Sequence, residues 1–504
     1  MRLSTALFLL LPLAGCVTKP AMPPRELGMN LAGITFYSSE IVFVDAFKQS
    51  RPWASQMPDK PFDTGGPLTV NDEGWVTRLN GNGHYAEALM FVGLDGHYPG
   101  GNYLCLYDGK GEIEFGEAAE TVDRKPGRIA VKVTPKNGAL ALRLKSTDPA
   151  DPVRNIRMIL PGHDKTYREQ PFHPQFLKRW EGFSAVRFMD WGATNNSKIV
   201  KWEERSRVDH ATQGTSKGVS LEHQVKFAAA LKADPWFCIP HLADDEYVRE
   251  FGKFLKANVA ADRKIYVEYS NECWHGGFEA GRYCIEKGKQ LGLSKQDYEA
   301  GLRFYAQRSV RIFKILEAEL GDAKRLVRVL ATQPDSEWAV DVVLDWQEAG
   351  KQVDALAIAP YFGARLGKPA AAELSAALTV DQVLDACAKE VEANGERTAK
   401  LARKIHDRGL KLLTYESGQH LVGVEGAENN EKLMKLFQAA NRHPRMKELY
   451  LQDMRNWQNA GGNLFCIFAS VGGYSKWGSW GVLEYADQDE ATAPKLQAIR
   501  EFLR

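Results

Sequence analysis

The sequence has no surplus of either charge sign: 65 lysines and arginines stand against 64 aspartates and glutamates, a formal net charge of +1. Such a chain lacks the basic field that attracts a nucleic-acid backbone or an anionic bilayer surface, so no nucleic-acid partner is expected. It has no CxxC pair and no Cys/His spacing of the kind that holds zinc, and no cofactor or metal is expected. It has no internal repeat and no low-complexity tract, which excludes solenoids and long flexible linkers. Beyond the first residues no apolar run is long enough to cross a bilayer as a helix.

What is present begins with a leader. Arg2 supplies a positive charge, and Ala6-Leu7-Phe8-Leu9-Leu10-Leu11 forms a short apolar stretch, too short to be a membrane span. Leu13-Ala14-Gly15-Cys16 follows. It resembles the bacterial lipobox, in which the cysteine is lipidated and becomes the mature N-terminus. The resemblance implies a signal peptide over residues 1–16, a lipid anchor on Cys16 and a Pro-containing tether over 17–26. Val17 in place of Asp implies, by likeness to Gram-negative lipoproteins, a place in the cell envelope at the outer membrane. Six further cysteines remain: Cys105, Cys238, Cys273, Cys284, Cys387 and Cys466. Export would permit disulfides, yet Cys238 and Cys466 sit in apolar runs that suit buried thiols, and the sequence assigns no pairing.

At 504 residues the chain suits a large barrel plus one smaller unit. Hydrophobic residues at 44% and charged residues at 26% are ordinary for a globular protein, so a large core is available. Its 12 Trp, 17 Tyr and 23 Phe leave rings to spare for a cleft that meets the C–H faces of sugars, although most belong in the core. Residues 27–34 read as a buried strand. From about 68 to 160 short alternating strands such as Tyr103–Tyr107, Ile129–Val133 and Leu140–Leu144 are punctuated by Asp95-Gly96, Asp108-Gly109 and Asn137-Gly138. That is the pattern of an antiparallel sandwich. From about 172 apolar strands alternate with helical stretches: 185–189, 236–240, 265–269, 325–330, 355–359, 410–415 and 463–468. With the first strand these complete the set that a closed (β/α)8 TIM barrel needs. The expected organisation is a first barrel strand and connection over 27–66, an inserted β-sandwich over 67–165, and the rest of the barrel over 166–504. Two consecutive domains with an open doubly wound sheet are the alternative.

In such barrels function sits at the C-terminal strand ends. Those ends carry Arg187, Asp190 and Trp191 on the second strand, His241 on the third, Ser270-Asn271-Glu272 on the fourth, Tyr361 on the sixth and Glu416 on the seventh. Trp477 and Trp480 follow the eighth. Cleaving a glycosidic bond takes two carboxyl groups, one to protonate the leaving oxygen and one to attack or to activate water. A barrel supplies them from distant positions. Tyr269-Ser270-Asn271-Glu272 and Tyr415-Glu416-Ser417 resemble the pattern of clan GH-A glycoside hydrolases, and Val267 to Trp274 resembles a cellulase-like bacterial subgroup. The resemblance covers residues 27–50 and 172–504. It implies Glu272 as general acid/base, Glu416 as nucleophile and retention of anomeric configuration. It further implies Arg187, His241 and Tyr361 as groups that orient the carboxyls, and Asn271 as partner of the sugar 2-hydroxyl. Clan members place a Trp at the end of strand eight as the floor of the reacting sugar; here that place is about Ala469-Ser470, so Trp477 or Trp480 must reach back from its loop.

Glu268 shares the side-chain parity of Ser270 and Glu272 and reads as a buried charge paired with an Arg. Trp191, Trp274, Asn195 and Asn196 are candidate sugar contacts or loop filler. The expected activity is hydrolysis of a β-linked polysaccharide or oligosaccharide. Two rivals stand beside it: an inactive glycan-binding protein on a glycosidase fold, and a metal-dependent hydrolase using His241, Asp244 and Asp245.

Overall fold

The computed structural model describes residues 26–81 and 83–504, so Cys16, the leader and the tether up to residue 25 lie outside the described residues. Eight apolar runs become strands: Leu27–Asn30, Ala185–Arg187, Asp234–Ile239, Ile265–Tyr269, Leu326–Ala331, Ala355–Ile358, Lys411–Thr414 and Phe465–Phe468. Every residue of the first, second, fourth and sixth is buried, as a parallel sheet covered on both faces requires. In barrel order the sheet runs 7-6-5-4-3-2-1-8, with each described neighbour pair parallel. The seam between strands 7 and 8 is closed by backbone bonds. The Thr414 N–H donates to the Leu464 carbonyl (3.0 Å), Asn463 to Leu412 (2.9 Å) and Phe468 to Ser417 (3.0 Å). An open doubly wound sheet would leave these edges apart; the fold is a (β/α)8 barrel.

Helices wrap the barrel because their apolar residues recur on one face. Asp245–Asn258 buries Tyr247, Val248, Phe251 and Leu255, and its N-cap Asp244 accepts from the Tyr247 N–H. The long helix Val380–His406 opens on a Thr379/Gln382 capping box. Most of the core lies between strands and helices. The barrel interior is a smaller cluster that includes Trp236, Val329, Ala357, Leu413 and Tyr415. No helix among the described residues is long and apolar enough to cross a membrane, and the six described cysteines are free thiols.

Between barrel strands 1 and 2 lie two four-stranded antiparallel sheets that share one core. The first orders Ala54–Gln56, Tyr85–Met90, Leu140–Thr147 and Gly111–Glu117; the second orders Arg154–Ile159, Gly101–Asp108, Arg128–Val133 and Ala119–Lys125. Ile129, Val131 and Val133 alternate inward, which is why this stretch is legible as strand. Antiparallel pairing already includes Ala54–Gln56, upstream of residue 67. The sheets are bolted to the first barrel connection. The carboxyl of Asp45 accepts from the N–H groups of Phe47 (3.1 Å) and Met158 (2.8 Å), and the Leu160 N–H donates to the Val44 carbonyl (2.8 Å).

Candidate active site

One arginine organises the barrel mouth. Arg187 ends the second strand and is fully buried. Its Nη1 donates to Asn30 Oδ1 (3.0 Å) and Glu416 Oε1 (2.9 Å), its Nη2 to Glu268 Oε2 (3.0 Å) and Asn271 Oδ1 (2.8 Å), and its Nε to Glu268 Oε2 (3.2 Å). These five bonds match the five N–H donors of a guanidinium, so the fork is saturated. It ties strands 1, 2, 4 and 7 together at one level. Glu268 points into the barrel, as its parity requires, and also accepts from Trp236 Nε1 at 3.1 Å. Burial raises its pKa, opposed by the charge of Arg187.

The two glutamates singled out in the sequence stand in different surroundings. Glu416 is buried and receives a second donor, the Tyr361 hydroxyl, at 2.9 Å on Oε2. With Arg187 on Oε1, both its oxygens are held by hydrogen-bond donors, one of them a guanidinium. Glu272 is only half-buried, and the donor it receives is the Tyr415 hydroxyl, at 2.8 Å on Oε1. Burial, and then the negative charge of Glu416, push its pKa up to about 8. Ser270 (φ 58°) and Glu272 (φ 45°) both lie in the left-handed region that non-glycine residues avoid. Each such residue costs on the order of 1–3 kcal/mol and persists where the surrounding structure dictates it. Between them, Asn271 is held by Arg187 and donates from Nδ2 to Asn195 Oδ1 at 3.2 Å.

The other predicted residues divide. Trp480 reaches back to the mouth: its ring meets Tyr361 (5.8 Å between centroids), His420 (5.0 Å) and Phe468 (5.5 Å). Its Nε1 is fixed by the Trp477 carbonyl at 2.8 Å. Trp477 itself is 65% exposed and its ring turns outward under Lys476, so its contribution to the mouth is through its backbone. Trp274 is half-buried beside His275, and its Nε1 has no partner among the described residues. Two expectations need correction. Trp191 is buried in an aromatic cluster with Phe176, Phe188 and Phe227 and offers no face to a sugar, because the chain turns back on itself just past the strand. His241 makes no hydrogen bond to either glutamate among the described residues; its ring packs edge-on against Tyr283 (5.5 Å), and burial lowers its pKa.

Asp244 caps its helix and pairs with Lys201, while Asp245 pairs with Arg308 and Arg311. Carboxylates so engaged do not fit a metal with His241, and no group of metal-ligating side chains occurs among the described residues. Three residues at the mouth drew little or no attention in the sequence. Tyr415, the donor to Glu272, precedes Glu416 and had no signal beyond that adjacency. Thr332, first past the fifth strand, is buried with its hydroxyl unpartnered. Asp190 is half-exposed near Glu416 and Arg187; burial and the Glu416 charge push its carboxyl up to about 7. Unpartnered buried polar atoms recur here: Ser270 Oγ, Thr332 Oγ1, His241 Nδ1, Trp274 Nε1 and His420 Nδ1.

Comparison with protein-family models and with curated proteins finds no match. Among solved structures the chain is similar to a 4-O-α-L-rhamnosyl-β-D-glucuronidase from Fusarium oxysporum, at 10% identity and a TM-score of 0.41, over 65% of this chain and 63% of that one. It thus spans less than two thirds of that enzyme's length. It is similar to a family 51 α-L-arabinofuranosidase from Bifidobacterium longum (12% identity, TM-score 0.39, 66% of this chain and 67% of that). It is similar also to a β-glucosidase from Thermotoga maritima (12% identity, TM-score 0.35, 68% and 87%). The (β/α)8 barrel itself follows from this chain's own strand order and closing seam.

Proposed function

We propose that this protein is a retaining glycoside hydrolase that cleaves a β-linked polysaccharide or oligosaccharide by double displacement, with Glu272 as acid/base and Glu416 as nucleophile. The observation that carries this reading is the unequal setting of the two glutamates. Glu416 takes a guanidinium and a phenol on its two oxygens, and Glu272 sits beside it with a carboxyl raised to about 8. The raised carboxyl of Glu272 suits it to give a proton, and the Arg187 and Tyr361 donors suit Glu416 to attack, the division of labour that glycoside cleavage needs.

In the first step Glu272 gives its proton to the glycosidic oxygen while a Glu416 oxygen attacks the anomeric carbon. The C–O bond to the leaving group breaks, and a glycosyl ester forms on Glu416. Esterification removes the negative charge that helped to raise the pKa of Glu272. The freed Glu272 carboxylate then takes a proton from water, whose oxygen attacks the anomeric carbon and releases Glu416. Two inversions give net retention. Trp480, with Tyr361 and Phe468, offers an aromatic wall to the sugar ring. A β-1,4-glucan of the cellulase type is the first substrate to try.

The test is hydrolysis of a glycan panel by wild type and by Glu416→Gln, with proton NMR of the first anomer released. Reducing ends from wild type alone, with β anomer first from a β-linked substrate, support the reading. The α anomer first points to inversion. Wild type that binds a glycan without cleaving any, and binds no better than Glu416→Gln, replaces the hydrolase with a binding protein. We also propose that Cys16 anchors the chain in the cell envelope at the outer membrane. Labelled fatty acid carried by wild type and not by Cys16→Ala supports this, and equal solubility of the two contradicts it.

A further inference from the structure

Trp480 comes to the barrel mouth on a loop that has already left the eighth strand at Phe468, so the strand does not hold its ring. Buried polar side chains from three other elements do. The Ser479 carbonyl, one peptide before the ring, accepts from Gln419 Nε2 (2.9 Å) and from Lys495 Nζ (2.6 Å). Lys495 Nζ also donates to Asn441 Oδ1 (3.1 Å), and Asn441 Nδ2 donates to Gln419 Oε1 (3.3 Å), which closes a cycle of bonds around that carbonyl. Ser479, Gln419, Asn441 and Lys495 are all buried. On the far side the Trp480 carbonyl accepts from the Ala469 N–H at 3.1 Å, so the peptides on both sides of the residue are tied down.

A lysine is an unexpected choice for this cycle. It is the second residue of the helix Pro494–Leu503, where the helix dipole disfavours a cation. It is wholly buried, and burial holds its pKa well below the ordinary 10.5. No carboxylate bonds to its amine among the described residues; Glu484, whose charge it feels, is held by Arg442 Nε at 2.7 Å. An apolar side chain of the same length would fill the space without burying an amine, but it would offer Ser479 no donor. That donor matters because the segment has a joint. Gly478 (φ 124°) lies two residues before the ring, and a Cβ there would collide with the Trp480 indole, so no local side chain can brace the turn.

We propose that Lys495 is a positioning residue for the sugar-binding wall: through the Ser479 carbonyl it fixes the peptide that carries Trp480, and with it the face the ring presents at the mouth. The inference rests on the glycosidase reading for what the ring meets, and not for the positioning itself. A carbonyl held by Gln419 alone can swing about that one bond. Held also by Lys495, from a different helix, it cannot turn without breaking one of the two. The indole then keeps its edge-on contacts with Tyr361, His420 and Phe468 whether or not a sugar is present, which spares a ligand the entropy of ordering it.

The test follows the ring and the glycan separately. The full chain is labelled with fluorotryptophan and read by fluorine NMR, with the Trp480 resonance assigned by its loss in Trp480→Phe. In Lys495→Met that resonance should shift or split, while those of the buried Trp191 and Trp236 stay in place; a general loss of packing would move them too. Glycan affinity is measured by calorimetry in the Glu416→Gln background, so that the ligand is not cleaved. Lys495→Met should weaken it about 3- to 10-fold, and by less than about twofold once Trp480→Ala is present, because no ring is left to position. Lys495→Gln, polar but too short to reach Ser479, should behave like Lys495→Met and serves if the latter does not fold. An unmoved Trp480 resonance overturns the role of Lys495, as does an affinity loss that is equally large in the Trp480→Ala background. Failure of both variants to fold overturns it too, by making Lys495 a requirement of the fold and not of the wall. If wild type neither binds nor cleaves any glycan, the glycosidase reading falls and the fluorine spectrum alone decides the positioning.

Discussion

Replacing Glu416 by Gln should lower the pKa of Glu272 by about two units, and this change measures the coupling on which the mechanism depends. Glu272 stands at about 8 because it is buried and because Glu416 adds a negative charge beside it. A retaining pair has its carboxyl groups about 5–5.5 Å apart. At that separation, with an effective dielectric constant of about 20, two unit charges interact by about 3 kcal/mol. At 1.36 kcal/mol per unit this is roughly two pKa units. Gln keeps the shape of Glu416 and its acceptor for Arg187, so burial and the Tyr415 bond remain and the residual value should be about 6, still above that of a free carboxyl. The assay is a pH titration of protein labelled with carbon-13 at the glutamate carboxyls, in wild type and Glu416→Gln, with the Glu272 resonance assigned by its loss in Glu272→Gln. A Glu272 value in the variant within about half a unit of wild type, or above it, would refute the claim that the two charges interact at catalytic range.

Removing Arg187 as Arg187→Met should destabilise the fold by about 3–5 kcal/mol, since Glu268 and Glu416 lose their buried counter-charge; urea unfolding reads this, and a loss under 1 kcal/mol contradicts it. Glu272→Gln should change the pH dependence of stability. The folded-state pKa of Glu272 is raised from 4.5 to about 8, so its favourable protonation is fully present below pH 4.5 and is lost as pH rises towards 8. Relative to wild type, the variant should therefore gain roughly 2 kcal/mol between pH 4 and pH 9, after discounting for its partial exposure, and parallel unfolding curves at the two pH values would count against the assignment. Trp480→Ala should depress kcat/KM on any cleaved glycan at least about tenfold while Trp477→Ala stays within about twofold, because only the former ring faces Tyr361. Equal losses would remove Trp480 from the sugar wall.

The barrel is legible in the sequence because its strands are buried on both faces and so stand out as apolar runs between helical stretches. The strand ends then place Arg187, Asn271, Glu272, Tyr361 and Glu416 on one rim without any knowledge of contacts. Glu268 is readable too, since strand parity fixes its direction. What fails to read is whatever depends on the course of a loop. Trp191 stands only four residues past Arg187, but the turn from Phe188 to Thr194 buries its ring. His241 sits at the right strand end yet faces Tyr283, a residue from the helix Glu279–Gln290. The engagement of Asp244 and Asp245 by Lys201, Arg308 and Arg311 involves partners 43 to 66 residues away in the chain, which no local pattern announces. Trp480 was one of two candidates, and the choice depended on a hairpin that returns its carbonyl to the Ala469 N–H.

Asn30 gives the site a timing. From the first barrel strand, its Nδ2 donates to the carbonyls of Tyr415 (2.8 Å) and Ile467 (3.2 Å) on either side of the closing seam, while its Oδ1 receives Arg187. One amide from the first barrel strand thus staples the last two strands and steadies the arginine that holds Glu416. A ribosome must release residues beyond Phe468 before that staple can engage. A nascent chain that ends between Glu416 and Ile467 has both glutamates but lacks the Ile467 anchor of this staple, so the site should be completed in a single late event that reports directly on closure of the ring.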